Sequence, residues 1–432
     1  MTACEGSESS MNLQQMIAVV VFLLVMVAII SEKVHRSVAA LAGAVVLLLA
    51  HVLTIDTAAD YVDLNTIGVL VGMMLFVAVV KSSGLFEYIA IRSAKLTRGQ
   101  PMAILAVFTV ITAVLSAFLD NVTTVLLIGP MTIAITQILE VNPVPFLLSQ
   151  IMASNIGGTA TLIGDPPNIM IGSAAGLGFT DFILTTGPVV LIILAVVVGI
   201  FILMYRGNLH VESENMEKVM SLNEDLAIKD VSLLRKSVIM IVLVVLGFIF
   251  HAQLGIESAT VALTAAGVML LIGGQDAEDV ILGVEWSTIL FFIGLFVVVG
   301  GLNSTGVIAM LANGMLNVVG NNEMLAIVLI LWASAIISAF LDNIPFVATL
   351  IPMIQTMQQG GMDVLPLWWA LSLGACLGGN GSLIGASANV VLAGVSAKNG
   401  YPITFMSYLK KGFPLMLLSI VICTVYLLIR FA

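Results

Sequence analysis

The hexapeptide Ser116-Ala117-Phe118-Leu119-Asp120-Asn121 returns unchanged 222 residues later as Ser338-Ala339-Phe340-Leu341-Asp342-Asn343, each time inside an apolar run. An acid beside an amide is costly in such surroundings and marks a functional site by default. Each copy is followed by a Gly-Gly stretch, 155–164 with Gly157-Gly158 and 376–385 with Gly378-Gly379. The duplication extends further, pairing Asp63 with Glu285, Thr66 with Thr288, Gly72 with Gly294, Gly84 with Gly306 and Pro130 with Pro352. A chain made of two such halves has the architecture of a secondary transporter.

The 432 residues are 60% hydrophobic and 9% charged, with a mean hydropathy of +1.16. A soluble protein of this size carries about 25% charged residues. Apolar runs fall at 14–30, 37–54, 65–80, 101–119, 122–139, 146–176, 184–205, 237–253, 258–273, 286–302, 324–341, 344–358, 366–395 and 412–430. The expectation is an all-α, multi-pass protein of the cell inner or plasma membrane, with the lipid bilayer as its solvent. The polar residues 1–10 lack the positive charge of a secretory signal, so the first apolar run reads as a span. No phosphate-binding loop, zinc spacing or cysteine pairing is present among Cys4, Cys376 and Cys423. An enzyme, a bound cofactor or metal, and a nucleic-acid partner are therefore not expected.

Fourteen of the fifteen Lys and Arg lie in 31–36, 81–100, 206–236 and 396–411, and none lies in 99–205 or 237–397. Placing those four loops in the cytoplasm puts the N-terminus outside and leaves only Arg430 unaccounted for. Each half then has five spans, an odd number that inverts the second half relative to the first. The expected organisation is a first repeat over 1–205, a cytoplasmic linker over 206–236 and a second repeat over 237–432. Hairpins fall at 101–139 and 324–358, and broken helices at 146–176 and 366–395. Parity is the same whether each hairpin re-enters the membrane or crosses it twice. The linker, with five basic and six acidic residues, reads as a solvated connector, with a short amphipathic helix around 216–228 as the alternative.

A sharp turn at Asp120-Asn121-Val122-Thr123-Thr124 would expose backbone groups that are tolerated at membrane depth only where they line a polar cavity. Asp120 supplies charge, Asn121 a carbonyl, and Thr123 and Thr124 hydroxyls, a set suited to hard cations or protons. One Asp-Asn is explained by a surface turn; two in matched apolar settings favour a site. The second tip keeps Asp342 and Asn343 and loses both threonines, so the halves are not equivalent. Asn155, Gly158 and Thr159 in the first break, and Gly379, Asn380 and Ser382 in the second, are further binding candidates. Half-helices at such breaks aim N-termini at anions and unwound carbonyls at cations. Asp165 has Ala386 as its repeat-mate, and is either a proton or ion ligand or the N-cap before Pro166. Cys376 stands where the first half has Asn155, and a lone thiol in an apolar helix is more often a small packed residue.

The stretches 116–124, 157–168 and 374–391 resemble the ion transporter superfamily, which includes the arsenite pump ArsB, the NhaD sodium/proton antiporters, the pigmentation P protein and sodium-coupled carboxylate carriers. The likeness covers nearly the whole chain and is nearest to bacterial ArsB-like members. It implies about ten transmembrane helices, two re-entrant hairpins with tips at Asp120-Asn121 and Asp342-Asn343, and two broken helices, in two inverted-topology repeats. Carboxylate carriers of this group have Ser-Asn-Thr tips; Asp replaces Ser in both tips here, which argues against sodium-coupled carboxylate uptake. The function expected is export of arsenite, and antimonite, by proton antiport. Asp120, Asp342 and Asp165 carry the proton in that reading. Na+/H+ antiport and anion transport of P-protein type are the alternatives. A soluble ATPase is a candidate accessory partner.

Overall fold

Inside a bilayer every backbone N–H and C=O must find a partner within the protein, and helices achieve this segment by segment. The computed structural model describes residues 12–31, 33–207, 209, 211–320 and 322–431, in which helix is the regular structure throughout. The acidic N-terminal residues 1–10 and Cys4 lie outside the described residues.

The duplication seen in the motifs holds for every helix outside the linker. In the first half Leu13–Ser31, Arg36–Leu49, Ile55–Asp60, Leu64–Lys81 and Leu85–Leu96 precede the hairpin Pro101–Ser116/Asn121–Ile138. The broken helix Val144–Gly158/Pro166–Ala175 and the long Phe179–Tyr205 close it. The second half repeats this order as Val231–Phe250, Ser258–Gly273, Ala277–Leu282, Trp286–Ser304 and Val307–Val319, then the hairpin Glu323–Ser338/Asn343–Gln359. The broken helix Leu365–Gly378/Ser387–Lys398 and Phe405–Phe431 follow.

Among the described residues seven helices are long and apolar enough to cross a membrane. Six of them match expected spans, and the seventh is the hairpin limb Asn121–Ile138. The expected spans at 37–54 and 258–273 are shorter, 14 and 16 residues. At 1.5 Å per residue they reach about 21 and 24 Å, less than the roughly 30 Å of a hydrocarbon core. The two remaining expected spans are the broken helices. The amphipathic helices Leu85–Leu96 and Val307–Val319 were not expected; the first occupies what read as a loop.

Neither half is compact alone. One unit comprises residues up to 63, 286–321 and 351–362; the other comprises 64–285, 322–350 and 363–432. In the first unit Arg36–Leu49 packs on Trp286–Ser304, where a Cβ on Gly294 would lie 2.7 Å from the Ala40 carbonyl carbon. In the second, Leu64–Lys81 packs on Ser258–Gly273, and a Cβ on Gly72 would lie 2.6 Å from that of Ala262. These are the same contact made twice, because Gly72 and Gly294, and Ala40 and Ala262, are repeat-mates. Small residues let membrane helices approach this closely.

The linker is largely exposed, as its charge suggested, but it is anchored at a few points. Its helix Ser213–Met220 buries Asn215 and Val219, and a 3-10 turn at Glu224–Ala227 follows. Glu224, only 7% exposed, takes Arg92 Nη1 at 2.7 Å and an ion pair from Lys95, both on Leu85–Leu96. The hydrogen bond from Lys95, with that from Arg92, pulls the Glu224 carboxyl down to about 2 from its ordinary 4.5.

Candidate functional site

Each hairpin is stapled to the broken helix of its own half by matching atoms. Ser116 Oγ donates to Ser154 O at 2.7 Å, and Ser338 Oγ to Ala375 O at 2.6 Å. Thr161 Oγ1 donates to Ala117 O, and Ser382 Oγ to Ala339 O at 2.5 Å. The backbones touch where only glycine fits, since a Cβ on Gly157 would lie 2.0 Å from Ala113 O and one on Gly378 2.6 Å from Ala335 O.

At the tips the acids cap helices. Asp120 Oδ1 accepts from Thr123 N at 2.8 Å, the N-cap of Asn121–Ile138. Asp342 Oδ1 accepts from Ile344 N and Oδ2 from Ser387 Oγ, each at 3.3 Å. Both side chains are partly exposed. Thr123 is partly buried, while the Thr124 hydroxyl is fully buried without a partner.

The first limbs of the broken helices end at Gly158 and Gly378, leaving carbonyls around the breaks unpaired. Two asparagines that sequence reasoning missed as site residues fill these breaks. Asn168 Nδ2 lies 3.2 Å from Gly158 O and 2.9 Å from Thr161 O; Asn389 Nδ2 lies 2.7 Å from Gly379 O and 2.9 Å from Ser382 O. Their signal was readable, as the same residue type recurs at matching positions just past each break. The carbonyls expected to face a cation are thus engaged by side-chain amides.

Across the halves the pattern interlocks. Asn155 Nδ2 donates to Asn389 Oδ1 and to Asn380 Oδ1, each at 2.9 Å, and Asn155 Oδ1 accepts from Asn121 Nδ2 at 3.2 Å. At the repeat-related place Cys376 Sγ donates to Asn168 Oδ1 at 3.4 Å, joined by Ser372 Oγ at 2.7 Å. Each half therefore reaches from its first broken limb to the other half's asparagine. Thr159 turns its hydroxyl back onto Asn155 O at 2.7 Å, and Asn380 Nδ2 reaches Met152 O at 3.3 Å. All these residues lie in the second unit.

Asp165 lies at the N-cap of Pro166–Ala175 yet makes no capping bond. It is 1% exposed, and its Oδ2 has no partner. It faces the thiol of Cys376 and the amide of Asn343, and feels the charges of Asp342 and Asp120. The sequence places no Lys or Arg in 99–205 or 237–397, so the site holds three carboxylates and no basic side chain from those stretches. Beside the first tip lies a cavity of about 290 Å³, lined by Phe76, Phe118, Leu119, Ile163 and Val244 among others and apolar throughout. It suits no polar solute.

The sequence profile of the citrate transporter family matches residues 26–374. The chain belongs to this family. It is 39% identical over 424 residues to a 46 kDa membrane protein of Mycobacterium leprae, covering 96% of this chain and 98% of that one. To an uncharacterised transporter of Mycobacterium tuberculosis it is 41% identical over 425 residues, with the same coverage. To the mouse P protein it is 34% identical, covering 98% of this chain and 61% of that protein. The crystal structure of the YdaH transporter of Alcanivorax borkumensis superposes with a TM-score of 0.60 at 13% identity, over 96% of this chain and 98% of that one; this likeness is of fold. The chain is thus a multi-pass plasma-membrane transporter of the ion transporter superfamily, and not an enzyme. Citrate transporters and P proteins are thus among the proteins that this chain is similar to.

Proposed function

We propose that the chain is a proton-coupled secondary transporter that exports small neutral hydroxylated species by proton antiport, undissociated arsenite first and antimonite with it. What supports this reading most is the make-up of the buried site. It offers Asn121, Asn155, Asn168, Asn343, Asn380 and Asn389, hydroxyls and three acids, with no Lys or Arg from the surrounding stretches. Multiply charged anions are usually held by Arg or Lys, and here they would meet carboxylates. A neutral solute bearing hydroxyls pairs with amides, and the acids carry the counter-moving proton. With five spans each the repeats would run inverted, their hairpins re-entering the membrane, in an elevator or rocking cycle.

The family description favours a second reading, carriage of a citrate-type carboxylate. At this site such an anion would enter with its charge neutralised by protons or cations. Na+/H+ antiport would use the same acids. Arsenite accumulation in energised everted vesicles separates the three. Accumulation that a protonophore abolishes and excess citrate leaves intact is the expected result. No arsenite accumulation, with citrate or Na+ dissipating the pH gradient instead, would overturn the proposal in favour of the corresponding alternative.

A further inference from the structure

The three acids of the site are not equivalent. We propose that Asp165 alone carries the coupled proton, in a site that the second repeat completes through Cys376 and Asn343. This rests on the proton coupling proposed above and narrows it to one group. Asp120 and Asp342 are partly exposed; Asp120 Oδ1 accepts from Thr123 N, and the two Asp342 oxygens accept from Ile344 N and Ser387 Oγ. Asparagine serves an N-cap about as well as aspartate, so those bonds do not require a titrating group.

Asp165 stands where a cap belongs, but the next two residues are Pro166 and Pro167, which have no N–H to offer. Its carboxylate is thereby left out of the helix. It is 1% exposed, with Oδ2 unpartnered, and the groups facing it are Cys376, Asn343, Asp342 and Asp120. None is cationic. A buried carboxylate so placed is costly as an anion, and a proton removes that cost. The step is simple: hydronium entering from one side transfers a proton to Oδ2, one O–H bond forms, and water remains. On the other side the same bond breaks to water. Ala386, the repeat-mate, cannot take part, so the duplicated fold holds one such group and moves one proton per cycle.

Cys376 is a positioning residue: its thiol donates to Asn168 Oδ1 at 3.4 Å and interacts with Asp165. The test is infrared difference spectroscopy of the full chain in vesicles, titrated with pH and without substrate. A C=O band of a protonated carboxylic acid is expected in wild type, in Asp120→Asn and in Asp342→Asn, and its loss in Asp165→Asn. Cys376→Ala should keep the band and move its midpoint. A band that survives Asp165→Asn, or disappears in either tip variant, overturns the assignment. If Asp165→Asn does not fold, an unmoved midpoint in Cys376→Ala overturns it instead. Because no substrate is used, failure of arsenite transport leaves this result standing. Failure here with arsenite still accumulating removes only Asp165 from the mechanism.

Discussion

Asn155→Ala tests the interlock between the halves. Asn155 is 1% exposed and makes three side-chain hydrogen bonds, to Asn380, Asn389 and Asn121. Its removal leaves Asn380 Oδ1, Asn389 Oδ1 and Asn121 Nδ2 without those partners inside a buried site. Interhelical hydrogen bonds in membrane proteins are worth about 0.6 kcal/mol on average and about 1.7 at most, so three predict a loss of about 2–5 kcal/mol. Its repeat-mate provides the control. Cys376→Ala removes the thiol's 3.4 Å bond to Asn168, whose Oδ1 keeps Ser372, and its interaction with Asp165, so that loss should stay below about 1.2 kcal/mol. Equilibrium unfolding in mixed micelles measures both, and a double-mutant cycle of Asn155 with Asn389 should return a coupling near 1 kcal/mol. If Asn155→Ala costs no more than Cys376→Ala, or the coupling is zero, the cross-repeat amides do not hold the site together.

Gly157→Ala should be worse than Gly378→Ala, since the added methyl meets Ala113 O at 2.0 Å against Ala335 O at 2.6 Å; yield of folded protein and transport both report it. Thr124→Val should leave unfolding free energy within about 0.5 kcal/mol, because the buried hydroxyl has no partner to lose; a rise in the KM for arsenite would place that hydroxyl against the solute, and a large stability loss would show that the hydroxyl is bonded. Glu224 is stabilised as the anion, so its contribution is complete above its ordinary 4.5 and is lost as pH falls through about 2. Protection of 211–230 against hydrogen exchange, relative to the unstructured rate at the same pH, should therefore be full at pH 6 and fall only in that acidic window, whereas Glu224→Gln should lower it at pH 6 already.

The tips and breaks were legible because Asp, Asn, Gly and Pro stand out in apolar runs, and a second copy removes chance. What those residues do was less legible. Asp120 three residues before Thr123 is an N-cap spacing, and the structure shows it used as one beside any ionic role. The carbonyls freed by Gly158 and Gly379 looked available to a cation, yet Asn168 and Asn389 engage them, a contact spanning ten residues across a break. Leu85–Leu96 escaped notice because its three charged residues, Glu87, Arg92 and Lys95, with Arg98 just beyond, outweigh its apolar stripe in a hydropathy reading. The same helix explains the linker: a charge count cannot show that Glu224 has two cations waiting on another element.

The paired contacts Gly72 with Ala262 and Gly294 with Ala40 bear on how the chain is made. Leu64–Lys81 leaves the ribosome long before the helix that covers its glycine face, for Ala262 follows Gly72 by 190 residues. At about 5–20 residues per second this is a delay of roughly 10–40 s. Through that interval the nascent first half holds an uncovered seam among lipids, although its hairpin can already meet its own broken helix. Separately expressed halves should then mature only when both are present in one membrane, each acting as the template for the other.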